Sequence, residues 1–139
     1  MEIADVRKRV NETIERAKRR AAERRTRTDE AGRAFDSYLE VTAVPLFRQI
    51  ANILRADGYP FNVFTPTGSV RLMSDRRTED FIEVVLDTTA DQPQLVLHSS
   101  RGRGRRVDES ERAIGDPATL TEQDLLTIVL KELEQLVSR

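Results

Sequence analysis

The spacing of apolar residues changes period twice along this chain, and that change limits the fold more than any other feature. From Ile3 to Leu54 apolar residues recur every three or four positions, from Phe61 to His98 they gather in short runs rich in β-branched and aromatic residues, and from Leu125 to Val137 the wider spacing returns. The first and last patterns line one face of an α-helix, whereas the middle one belongs to strands. A chain of 139 residues in that order fits one α+β domain with an appendage.

The appendage comes first. Ile3, Val6, Val10, Ile14, Ala17 and Ala21 follow the helical repeat, and Asp5–Arg9, Glu12–Arg16, Glu15–Arg19 and Glu23–Arg27 place an acid four positions before a base. Such pairs each add about 0.2–0.5 kcal/mol to a helix. The stripe is thin and shrinks from Ile and Val to Ala, and no large apolar residue occurs from Ala22 to Glu30. Burial cannot hold that stretch, so it reads as a solvated helix or a hinge, with Gly32 its weakest point. Residues 1–33 are therefore expected to be a charged helical arm, and residues 34–139 the α+β domain.

Within the domain, Phe35, Tyr38, Leu39, Thr42, Leu46, Phe47, Ile50 and Leu54 predict a strongly amphipathic element that ends at Asp57-Gly58, where glycine suits the left-handed position after a helix. Pro45 falls inside it, so either one helix stops near Ala43 and another starts at Pro45, or a single helix is kinked. Strands are expected at Phe61–Phe64, Ser69–Met73, Phe81–Leu86 and Leu95–His98. Thr65-Pro66-Thr67-Gly68 joins the first two, with the composition of a type I turn and a glycine bulge. Asp91-Gln92-Pro93 makes the last turn, and after the Arg101–Arg106 run the polar stretch to Gly115-Asp116-Pro117 reads as irregular. Thr121 and Asp124 resemble a capping box ahead of a helix carrying Leu125, Leu126, Val129, Leu130, Leu133, Leu136 and Val137. The predicted fold is the arm, a helix, a four-stranded antiparallel meander and a C-terminal helix packed on one face of the sheet.

Charge bounds the function. The chain carries 23 basic and 24 acidic side chains, a net charge of -1. That balance argues against a surface wholly adapted to nucleic acid or anionic lipid. The charges are unevenly spread: residues 1–33 hold eleven Lys/Arg against seven Asp/Glu, and residues 34–100 hold five against nine. Cysteine is absent, which excludes disulfides and thiolate metal sites. The opening Met-Glu-Ile-Ala-Asp lacks the apolar core of a signal peptide, and no apolar run approaches the roughly 18 residues of a membrane span. A cytoplasmic protein that avoids membranes is the expectation.

Arg101-Gly102-Arg103-Gly104-Arg105-Arg106 is the most suggestive run. Guanidinium forks spaced by glycines let side chains and backbone N–H groups meet a phosphate together, so Arg101, Arg103, Arg105 and Arg106 are candidate phosphate or nucleic-acid contacts. A solvated loop is the simpler reading, because Asp108, Glu109 and Glu111 follow and no aromatic residue interleaves the run for base stacking. Arg7-Lys8-Arg9 and Lys18-Arg19-Arg20 recur about three helical turns apart, a spacing that suits a polyanion but also an intrahelical ion-pair lattice. His98 adjoins Ser99 and Ser100, yet neighbouring strand residues point to opposite faces, so a structural role is expected rather than a nucleophile–base pair. Glu79, Asp80, Glu83 and Asp87 read as solubilising charge. The five phenylalanines read as core, with Phe64 beside a turn the one expected at an interface if any is exposed.

Helix, meander, helix is an order shared by many unrelated small proteins and implies no activity. Three classes remain. The favoured expectation is a non-enzymatic protein-binding or assembly module that uses Ile3, Val6, Val10, Ile14 and Ala17, coiled-coil fashion, to join another copy or a different protein. The alternative is a nucleic-acid-binding accessory using the basic arm and the Arg101–Arg106 loop. An enzyme is the third, without a catalytic, cofactor or metal motif in its favour.

Overall fold

A computed structural model describes residues 1–138 and shows an α+β fold. Helix α1 spans Ile3–Tyr38, a π-helical turn covers Leu39–Ala43, and α2 runs over Val44–Ala56, so residues 3–56 form one rod. Gly32 does not interrupt it. Thirty-six residues of α1 carry helical geometry past the stretch that lacks apolar content, because a helix propagates cheaply once a packed end has nucleated it.

The π turn resolves the puzzle of Pro45. Proline lacks an N–H and its ring crowds the carbonyl four residues back. Here the preceding turn is widened: the Val44 N–H bonds the Leu39 carbonyl, five residues back, and Pro45 enters at the start of α2. The chain neither stops nor restarts. The widened turn also shifts the buried face by one position. A plain repeat of about 3.6 residues from Phe35 would next bury positions near 42, 46, 49 and 53. The protein instead buries Ala43, Leu46, Phe47, Ile50 and Leu54, and leaves Ile53 exposed.

Helix α2 closes with a Schellman motif: Tyr59 N–H donates to the Leu54 carbonyl and Gly58 N–H to that of Arg55. The sheet follows, with β1 Phe61–Phe64, β2 Ser69–Ser74, β3 Phe81–Asp87, β4 Gln94–Arg103 and β5 Arg106–Gly115, all antiparallel and in chain order. The β1–β2 turn differs from expectation. Its hydrogen bond runs from Ser69 N–H to the Pro66 carbonyl, which puts Gly68, at φ 77°, in the third turn position, as a type II turn requires.

The sheet has five strands, one more than the apolar pattern reveals. The stretch expected to be irregular is β5, paired with β4 from Arg103↔Arg106 to Leu95↔Gly115 with one register shift. Eight of its ten residues are exposed, so no alternation of apolar and polar residues marks it. It is an edge strand bristling with charge, which discourages further strand pairing. The described part of the C-terminal helix, α3, spans Glu122–Val137 and begins with the expected capping box at Thr121 and Asp124.

Both helical elements cover the same face. Phe35, Tyr38, Phe47, Ile50 and Leu54 from the rod and Leu125, Val129, Leu133 and Leu136 from α3 form one cluster with Val70, Leu72, Ile82, Val84, Leu95 and Leu97. Among the described residues no helix is long and apolar enough to cross a membrane.

Candidate interaction surfaces

The arm is an overhang. Every residue from Met1 to Arg20 is exposed, and α1 first becomes partly buried at Ala21. From there Ala21, Arg24, Arg25 and Thr28 run beside the β3–β4 loop at Thr88–Asp91, while Arg27, Ala31 and Ala34 line one groove with Pro93, Asp116 and Ala118. Eighteen helical residues, about 27 Å, thus project beyond the last contact with the domain. The apolar stripe lies on that projection, with Ile3 80% exposed, Val6 45%, Val10 51% and Ile14 44%. Ala17 is exposed as well.

The arm's charges are not locked into the expected lattice. Among the described residues none of the four acid–base pairs closes to an ion pair within 4.0 Å. Arg16 instead donates to Thr13 Oγ1 at 3.1 Å, and Thr13 in turn donates to the Arg9 carbonyl at 2.8 Å. Long side chains at full exposure gain little from holding one geometry in water.

The Arg-Gly run forms the tip of the β4–β5 hairpin. Gly104 and Arg105 are its two turn residues; φ at Gly104 is 61° and among the described residues no non-glycine has positive φ. Positive φ at the first turn position alone is the mark of a type II′ turn, which takes glycine there. The arginines are consequently divided. Arg103, Arg105 and Arg106 are exposed at the tip, with Arg103 paired to Asp108 at 3.4 Å. Arg101 sits deeper, its Nε buried without a hydrogen-bond partner. Gly102 N–H is already used, donating to Asp80 Oδ1 at 2.8 Å, and Arg103 and Arg106 are paired residues of the ladder. The tip also lies at the far end of β4 from the strand end beside which α1 passes, a separation of about 30 Å along the strand. The two basic features are not gathered at one point.

No family model, curated protein or solved structure matches the chain.

The sheet face away from the helices carries a second cluster. Phe64, Arg71, Glu83, His98 and Glu111 form one row across all five strands. Glu83 is buried rather than solubilising: Arg71 Nε donates to its Oε2 at 3.0 Å and Ser69 Oγ at 3.2 Å. The Arg71 guanidinium also lies 4.1 Å from the Phe81 ring centre, and the His98 ring meets that ring edge-on at 5.1 Å. His98 Nε2 is 3.7 Å from Glu109 Oε1, and Ser99 Oγ bonds Ser110 rather than the histidine. Arg71 and His98 share the covering of one aromatic ring, and Arg71 ties Glu83 to it. Phe64 is 42% exposed at its edge, the one exposed phenylalanine. Among the described residues no three His, Asp or Glu converge to hold a metal.

Proposed function

We propose that this protein is a protein-binding or assembly module whose contact element is the projecting N-terminal helix. One observation carries the reading: an apolar stripe of Ile3, Val6, Val10 and Ile14 stands in water on the stretch of α1 that projects beyond its own domain. An isolated helix of that length is marginal in water, and its stability comes from covering the apolar face. The domain supplies a rigid mount, because α1 continues through the π turn into the core.

Sedimentation of the chain, alone and in extract of the cells that make it, tests the proposal. Val6→Asp with Val10→Asp should reduce any assembly in either setting to the size of the free chain. Identical sedimentation of wild type and variant in both settings would leave the helix without a binding role. The nucleic-acid alternative rests on the exposed Arg103, Arg105 and Arg106. It predicts weak, salt-sensitive, sequence-indifferent binding that vanishes when these three become Ser.

A further inference from the structure

Resting on that reading, we infer that the arm's partner is a second copy of the same arm, packed antiparallel about a two-fold axis at Val10. The stripe is symmetric about that residue. Ile3 and Ala17 lie seven positions on either side of Val10, and Val6 and Ile14 lie four positions on either side. An antiparallel copy therefore sets Val10 against Val10, Val6 against Ile14 and Ile3 against Ala17, the last joining a large side chain to a small one. A self-complementary patch of this kind is what a two-fold interface requires. All five residues fall within the fully exposed overhang.

Charge selects the direction. Residues 2–15 hold four acids and three bases, whereas residues 16–27 hold seven bases and one acid. Parallel pairing would stack the basic halves. On a helix of about 100° per residue, Glu2 and Arg20 flank the stripe on one side, with Asp5 and Arg16 further round on that side. Antiparallel pairing about Val10 brings like flanks together, so Glu2 meets the other copy's Arg20 and Asp5 its Arg16, offset by about 3 Å or less. In the parallel arrangement opposite flanks meet, which places Lys18 by Arg20 and Arg7 by Arg9. The arm's acids and bases stand outside intrahelical ion pairs and are free to make these contacts.

The absence of cysteine makes the test direct. Chains carrying Ile3→Cys and Ala17→Cys are mixed at equal, high micromolar concentration in a glutathione redox buffer. The mixed 3–17 disulfide should exceed either symmetric product at least tenfold, because equivalent Ile3 positions would lie about 21 Å apart, beyond disulfide reach. A statistical mixture, or dominance of the 3–3 and 17–17 products, overturns the antiparallel assignment. Independently, Glu2→Arg with Asp5→Arg should weaken dimerisation about tenfold, as should Arg16→Glu with Arg20→Glu, and all four together should restore it. Failure of that restoration overturns the charge pairing. A wild-type chain that is monomeric at high micromolar concentration overturns self-pairing altogether. If the chain nevertheless enlarges in extract through Val6 and Val10, the binding role stands while the second copy is excluded as partner.

Discussion

Tyr38 is buried in the core, yet its hydroxyl has no hydrogen-bond partner. Burial, reinforced by Asp124 and Glu122, pushes its pKa up to about 12 from 10.0. The fold therefore keeps a proton that the unfolded chain releases above pH 10, so this residue's contribution is fully present below pH 10 and is lost as pH rises towards 12. Tyr38→Phe should flatten the alkaline fall in melting temperature relative to wild type and leave stability at pH 7 unchanged or slightly raised, since no bond is lost. Arg71 has the opposite character. Removing it strands the buried Glu83 carboxylate and uncovers Phe81, so Arg71→Ala should cost about 2–3 kcal/mol in denaturant unfolding. Neither environment was legible in the chain. Alternation assigns Glu83 to the face opposite Ile82 and Val84, but it does not tell that a guanidinium and a ring on neighbouring positions close over the carboxylate. Phe64 reads as core like the other phenylalanines and is exposed instead, and only its place next to a turn at the sheet's edge marked it as the candidate if any one was.

At the scale of elements, strong periodicity and turn chemistry carried the prediction, and their absence explains what it missed. The capping box, the Gly58 helix end and four of the five strands stand where residue patterns place them. Strand β5 escaped because an exposed edge strand buries neither face; the remaining signal was the Gly104-Arg105 pair, a two-residue turn read as part of a loop. The π turn escaped because Thr42 fits a plain helical repeat nearly as well as Ala43, and only the burial of Ala43 and Leu54 separates the two. A one-residue insertion has a distinctive consequence. Deleting Val41, which is 71% exposed, while replacing Pro45 by Ala should give a plain α-helix with both buried faces still on the sheet. That double change is expected to retain the fold. Deletion of Val41 alone should cost about 3 kcal/mol, as the proline ring then meets an ordinary α turn. An alanine added after Val41 should abolish cooperative unfolding, since it rotates α2 by about 100° and drives Leu46, Phe47 and Ile50 off the sheet.

For the whole molecule, the division between arm and domain lies earlier in space than the apolar content of the chain suggests. Residues 1–20 are all exposed, whereas Ala21, Thr28, Ala31 and Ala34 are partly buried beside the loops that end β3 and precede α3. The rod is thus both a mount and a projection, and its two parts answer to different forces. Removing residues 1–20 takes away no buried contact of the domain, so the melting temperature of the remainder at low micromolar concentration should match wild type to within about 1 °C. Removing residues 1–33 strips partly buried apolar surface from the loops and starts the helix two residues before Phe35. At about 25 cal/mol per Å² of apolar surface, uncovering even 50 Å² costs about 1.3 kcal/mol, which lowers the transition of a domain this size by several degrees. The concentration dependence should divide the same way. If the arm carries the assembly, the wild-type transition rises with protein concentration, because association stabilises the native state by mass action, and the chain lacking residues 1–20 shows a flat line. Calorimetry of the three chains over a hundredfold range of concentration reads both effects. A transition that drops sharply on loss of residues 1–20 alone would place the stripe against its own domain. A wild-type transition independent of concentration would remove self-association from the arm's role.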